Sequence, residues 1–113
     1  MVEDEAIIAL DLHGLLTCAG YCVIGPVASV SEALPVLVNH KIDAAVLDIH
    51  LGKEMVYPVA DKLISAQVPV VFVSGQPILT IPEHHRHRPL LRKPYYPHEL
   101  LESLSKAMGT VIA

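Results

Sequence analysis

A chain of 113 residues is close to the commonest size of a single domain, so we expect residues 1–113 to form one domain with its own core. Hydrophobic residues make up 52% of the chain and charged residues 18%, a composition that excludes intrinsic disorder. The formal net charge of -4 disfavours binding to nucleic acid through the phosphate backbone. No apolar run approaches the roughly 20 residues of a membrane span, so we expect a cytoplasmic protein without membrane contact.

Short apolar runs alternate with segments of helical periodicity along the chain. In chain order they predict a strand at 1–2, a helix at 6–19, a strand at 22–28, a helix at 30–39, a strand at 44–48, a helix at 57–66, strands at 70–73 and 90–92, and a helix at 97–108. This alternation predicts a doubly wound α/β fold with a five-stranded parallel sheet. We expect the strand order 2-1-3-4-5 and helices on both faces, the flavodoxin-like three-layer arrangement.

The segment 74–90 breaks the alternation. Its prolines and its lack of an amphipathic repeat predict a single turn or a mobile loop in place of a helix. The tract His84-His85-Arg86-His87 looks like a metal-binding motif, but its arginine and the prolines on both sides favour a solvated loop. Cys18 and Cys22 form one pair without a second, so we expect reduced, partly buried thiols and no zinc site there.

Polar or charged residues stand at the carboxyl ends of four predicted strands: Glu3 with Asp4, Asp48, Ser74 and Lys93. In open α/β sheets these ends meet at the edge where ligands bind. With the order 2-1-3-4-5 the first and third strands are neighbours, so Asp4 and Asp48 would face each other. Three carboxylates in one small pocket repel unless a cation lies between them, and Mg²⁺ is the hard ion that oxygen ligands favour.

The same positions carry a resemblance to a known family. The segments Val2-Glu3-Asp4-Glu5, Val46-Leu47-Asp48, Val73-Ser74-Gly75 and Lys93-Pro94-Tyr95 follow the order and rough spacing of motifs in the receiver domains of two-component response regulators. The chain resembles this family over nearly its whole length, in the single-domain type with a shortened fourth helix. In that family a central aspartate accepts a phosphoryl group from a phosphohistidine on a sensor kinase.

The resemblance implies a role for each residue. Asp48 would be the phosphoacceptor, Ser74 the switch hydroxyl, and Lys93 the cation that pairs with the phosphoryl oxygens. The Mg²⁺ ligands would be Glu3, Asp4, Asp48 and the backbone carbonyl of His50. The Lys93-Pro94 peptide would be cis, as it is in the family. Such a protein catalyses its own phosphorylation and dephosphorylation in a phosphorelay and is not expected to be a turnover enzyme.

The resemblance also implies partners. These are a sensor histidine kinase or a histidine phosphotransfer protein, and a downstream protein target whose contacts the phosphorylation switches. A homodimer is left open.

Two other functions remain open as well. Leu90 stands three residues before Lys93, where the family commonly has an aromatic residue whose inward movement reports phosphorylation. A receiver-like module that binds partners without being phosphorylated is therefore one alternative. The other is a Mg²⁺-dependent hydrolase that forms an aspartyl phosphate, although that class has a second acid two residues after the nucleophile and this chain has His50 there.

Overall fold

The computed structural model describes residues 1–3, 5–75, 81–85, 88–93 and 95–108. The helices are α1 (Ala6–Cys18), α2 (Val30–Asn39), α3 (Tyr57–Ser65) and α4 (Pro97–Ala107), and a 3-10 turn covers Glu83–His85. The strands are β1 (Ala45–Asp48), β2 (His50–Leu51), β3 (Glu54–Met55), β4 (Val70–Ser74) and β5 (Leu90–Arg92). In this described part, none of the helices has the length and hydrophobicity that crossing a membrane requires.

Strands β1, β4 and β5 form a parallel sheet in that order. The register pairs Asp48 with Val73 and Ser74 with Arg92, so the carboxyl ends of the three strands lie at one edge. At the other side of β1, Val2 makes single parallel bridges to Leu47 and to Val27. A parallel α/β sheet is therefore confirmed for three strands, while the five-stranded order 2-1-3-4-5 stays a prediction.

Helices pack on both faces of this sheet, because successive side chains of a strand point to opposite sides. One hydrophobic core joins β1 and β4 to α2 and α3, through residues that include Leu47, Phe72, Ala33 and Val59. A second core joins the same strands to α1 and α4, through residues that include Val46, Val71, Leu12, Leu16 and Leu100. The layers are helix, sheet and helix, and the carboxyl ends of the strands lie together at one edge of the sheet.

The structure corrects the prediction of a second strand at 22–28, which we expected at an edge or a bend of the sheet because of Gly25-Pro26. Only Val27 takes part in sheet pairing there. Gly25 has a φ of 105°, in the left-handed region that an extended strand does not use, and Pro26 has no N–H to donate. A short hairpin of β2 and β3 also follows β1 where we expected no strand, and Gly52 makes its turn with a φ of 62°.

The predicted solvated loop around the histidines is wrong for His85, which is only 2% exposed. His84 is exposed as expected, and both histidines belong to the 3-10 turn Glu83–His85. Residues 76–80 and 86–87 lie outside the described residues, so the rest of that prediction is not tested. Cys18 and Cys22 are free thiols, and both are exposed where we expected partial burial.

Candidate functional site

Asp48 ends β1 as a buried carboxylate, 4% exposed. Apolar neighbours hold the strand between the two cores, and the backbone N–H of Asp48 donates to the carbonyl of Val2 at 2.9 Å. The chain then turns, so that the N–H of His50 donates to Asp48 Oδ1 at 3.3 Å. One carboxylate oxygen is thus oriented by the backbone, and the other is available to a charged side chain.

That charged side chain is Lys93, one residue beyond β5. Its backbone N–H donates to the carbonyl of Ser74 at 2.9 Å, which continues the pairing of β5 with β4. Its Nζ donates to Asp48 Oδ2 at 3.0 Å and to Glu3 Oε2 at 3.3 Å. One ammonium group therefore joins two carboxylates that are 45 residues apart in sequence. We call Glu3, Asp48 and Lys93 the strand-end site.

Burial by itself would lower the pKa of Lys93. The hydrogen bonds and negative charges of Asp48 and Glu3 outweigh burial and raise that pKa above its ordinary value. Lys93 therefore remains a cation at every pH at which the protein would function.

Glu3 is buried as well, at 3% exposure. Its backbone N–H donates to the carbonyl of Val27 at 2.9 Å, and its Oε1 accepts from the N–H of Glu5 at 3.2 Å. Burial, followed by the neighbouring Asp48 carboxylate, raises the pKa of Glu3 to about 7, against the opposing influence of Lys93. Two buried carboxylates and one ammonium group leave this site with more negative than positive charge once Glu3 ionises.

Ser74 ends β4, the strand between those that carry Asp48 and Lys93. Its side chain is buried, and it follows Val73, the register partner of Asp48. The sheet register thus puts Ser74 one position beyond Asp48 on the adjacent strand.

The remaining predicted features of the site are the ligand Asp4, the cis Lys93-Pro94 peptide and the carbonyl of His50. Asp4 and Pro94 lie outside the described residues, so the Asp4 ligand and the cis Lys93-Pro94 peptide are not tested. His50 begins β2, two residues after Asp48, which is close to the site along the chain. Its carbonyl as a metal ligand stays a prediction.

Sequence reasoning missed two features. Glu5 ends the segment Val2-Glu3-Asp4-Glu5 that we quoted as a motif, yet we gave it no role; its Oε1 lies 3.9 Å from Lys93 Nζ. The buried side chain of His85 contacts Asp61 of α3, with Nε2 2.9 Å from Oδ1. These two residues are 24 positions apart, so no local sequence pattern could have indicated the contact.

A buried carboxylate beside a fixed ammonium group, at the ligand-binding edge of a parallel sheet, can act as a nucleophile toward an anionic group. The chain is similar over most of its length to proteins of solved structure. No family model matches the chain. The solved structure of SdrG from Sphingomonas melonis Fr1 is 34% identical, with a TM-score of 0.83, and the match covers 96% of this chain and 92% of that one.

A response regulator receiver protein from Sinorhizobium medicae WSM419 is 28% identical, with a TM-score of 0.80 over 96% of this chain and 90% of that one. The chain belongs to the receiver domains of response regulators. The receiver fold also matches part of a curated relative, the phyllosphere-induced regulator PhyR of Methylorubrum extorquens, at 33% identity over 96% of this chain. The chain spans only 42% of the length of that relative.

Proposed function

We propose that this receiver is a phosphoacceptor, in which Asp48 takes a phosphoryl group from a phosphohistidine of a kinase or phosphotransfer protein. The observation that supports the proposal most directly is the double contact of Lys93 Nζ, at 3.0 Å from Asp48 and 3.3 Å from Glu3. Phosphoryl transfer asks a protein mainly to position the reacting groups and to neutralise the equatorial oxygens. The strand-end site has a nucleophile and a cation in contact.

In the proposed reaction a carboxylate oxygen of Asp48 attacks phosphorus and forms a new P–O bond. The P–N bond to the donor imidazole breaks, and its electron pair stays on the imidazole nitrogen. Lys93 would then pair with a phosphoryl oxygen in place of Asp48 Oδ2. The hydroxyl of Ser74 would donate a hydrogen bond to another phosphoryl oxygen. Because Lys93 directly follows β5, its movement toward the phosphoryl group would act on that strand first.

The donor set also suits Mg²⁺. Glu3 and Asp48 are hard oxygen donors, and burial, followed by the neighbouring Asp48 carboxylate, raises the pKa of Glu3 to about 7. Asp4 and the carbonyl of His50 would complete the set of protein ligands. When bound, Mg²⁺ supplies positive charge for the phosphoryl oxygens. Because Glu3 must lose its proton to bind a metal, we expect Mg²⁺ affinity to increase from about pH 6 to pH 8.

The proposal includes a cellular setting. We place residues 1–113 as one receiver domain in the cytoplasm, with a sensor histidine kinase or histidine phosphotransfer protein upstream. A protein target downstream would read the phosphorylated state, since the family acts through switched protein contacts.

The test is incubation with acetyl phosphate and Mg²⁺, followed by intact-protein mass spectrometry. We expect wild type to gain one phosphoryl group and Asp48→Asn to gain none. Asp43→Asn is the matched control, because it removes an exposed carboxylate just before the amino end of β1 and should leave phosphorylation unchanged. A folded wild-type protein that gains nothing would favour the partner-binding module, and repeated turnover of phosphate esters that requires Asp48 would favour the hydrolase.

A further inference from the structure

A second group of metal-ligating side chains lies on other elements than the strand-end site. Asp61 of α3 meets the 3-10 turn, where Asp61 Oδ1 is 2.9 Å from His85 Nε2 and 3.6 Å from His84 Nε2. One ligand atom from each of the three residues lies within 4.8 Å of the other two. We call Asp61, His84 and His85 the histidine cluster.

The spacing of these atoms suits a tetrahedral metal. Bonds of about 2.0–2.2 Å to nitrogen and oxygen separate neighbouring ligand atoms by roughly 3.3–3.5 Å. The observed 2.9 Å and 3.6 Å lie on either side of that separation. The side chains of His84 and Asp61 are 67% and 58% exposed, so both can shift toward an ion without disturbing the core.

The third ligand is held rigidly. The side chain of His85 is 1% exposed, and its ring stacks on Tyr57 with centroids 5.2 Å apart and meets the edge of Phe72 at 5.5 Å. Its backbone N–H donates to the carbonyl of Pro82 at 2.9 Å. The buried imidazole is therefore a preorganised ligand, and the two exposed side chains can adjust to an ion that it binds.

The protonation state of His85 sets what metal coordination would require. Burial lowers its pKa, and the nearby His84 and Arg88 lower it further, which outweighs the raising effect of Asp61. In the neutral ring Nε2 carries the proton that its 2.9 Å contact with the Asp61 carboxylate requires, so coordination through Nε2 would move that proton to Nδ1.

We propose that Asp61, His84 and His85 bind one divalent transition-metal ion of the zinc type, through one carboxylate oxygen and two imidazole Nε2 atoms. Two nitrogen ligands distinguish this site from the all-oxygen donors of the strand-end site, which favour Mg²⁺. Three protein ligands leave a fourth position for water or for a side chain of a partner. The ion would tie α3 to the turn that precedes β5.

The experiment is calorimetric titration of Zn²⁺ into the untagged protein in the presence of excess Mg²⁺. Cys18 and Cys22 are replaced by serine throughout, because exposed thiols also bind zinc. We expect one Zn²⁺ per chain, and a loss in affinity of about tenfold or more in His84→Ala and again in Asp61→Asn. His40→Ala, which removes an exposed histidine outside the cluster, should bind as tightly as the parent.

Circular dichroism checks that the variants are folded, which their exposed positions favour. A second readout is the absorption of bound Co²⁺, whose intense visible bands indicate four-coordinate binding and should disappear in the double variant His84→Ala, Asp61→Asn. The proposal fails if the parent shows no saturable site, or if the double variant binds Zn²⁺ as tightly as the parent. The contact of Asp61 with His85 would then be a hydrogen bond only.

Discussion

In both the strand-end site and the histidine cluster, a carboxylate contacts a basic side chain. The strand-end site buries the carboxylates, whereas the histidine cluster buries the basic group. Glu3 and Asp48 are 3% and 4% exposed, whereas the carboxylate of Asp61 is 58% exposed and the imidazole of His85 is buried. Burial raises the pKa of Glu3 and lowers the pKa of His85. For Glu3 and His85, burial is the largest influence on the pKa, and it favours the uncharged form of each group.

The two shifts have opposite effects on stability as the pH changes. Folded Glu3 holds its proton more tightly than unfolded Glu3, so its contribution is lost as pH rises from 4.5 to about 7. Folded His85 holds its proton less tightly, so its contribution is lost as pH falls below the ordinary value of 6.5. Substitutions that remove one group at a time separate the two effects.

The largest effect is expected for His85→Ala. The change removes a buried ring from its contacts with Tyr57 and Phe72 and should lower the free energy of unfolding by about 2–3 kcal/mol. Urea unfolding at pH 7.5 with a chelator measures it without any metal contribution. The matched control is His84→Ala, in which loss of an exposed ring should lower the free energy of unfolding by less than about 0.5 kcal/mol. Equal losses in both variants would contradict the difference in burial.

The next largest effect is expected for Lys93→Met in the strand-end site. It leaves two buried carboxylates without their cation, and we expect a loss of about 2 kcal/mol at pH 8. The loss should be smaller at pH 5, because Glu3 can then take up a proton and relieve the repulsion. Urea unfolding at both pH values tests this, with Lys62→Met on the exposed side of α3 as the control. A loss that does not depend on pH would argue that packing of the lysine stem, rather than its charge, stabilises the site.

Glu3→Gln should raise the free energy of unfolding, whereas Lys93→Met lowers it. Because the pKa of Glu3 is raised from 4.5 to about 7, its ionised form is disfavoured in the folded state above neutral pH. The uncharged amide should therefore raise the free energy of unfolding by about 1 kcal/mol at pH 8 with a chelator, and by little at pH 5. Thermal unfolding with added Mg²⁺ gives a second readout, because the variant should gain less stability from the ion than wild type. A variant that is less stable than wild type at pH 8 would refute the repulsion.

The strand-end site could be predicted from sequence because one rule places all of its parts. Apolar runs that end on polar residues locate the strand ends, and parallel pairing brings those ends to one edge. Asp48 ends β1 and Lys93 directly follows β5, as that rule requires, and Ser74 ends β4 on the strand between them. The bounds of β5 could be predicted because the two apolar residues before Arg92 indicate a short strand.

The histidine cluster and the region around Gly25 could not be predicted in this way. The contact of Asp61 with His85 depends on how the 3-10 turn packs against Tyr57 and Phe72, which no periodicity encodes. Gly25 occupies the left-handed region, and a sequence shows only that glycine is able to do so. The hairpin of β2 and β3 was missed because two-residue strands are too short to show alternation.

The smallest expected effect tests what holds His85 in place. In the described part of the chain the hydroxyl of Tyr57 is buried without a hydrogen-bond partner, while its ring stacks on His85 at an interplanar angle of 12°. Tyr57→Phe keeps the stack and removes the unpaired hydroxyl, so we expect a gain of about 0.5–1 kcal/mol in urea unfolding at pH 7.5. Tyr96→Phe, at a ring that is 70% exposed, should change nothing measurable. If Tyr57→Phe is instead destabilising, the hydroxyl does have a partner, and a hydrogen bond contributes with ring stacking to the burial of His85.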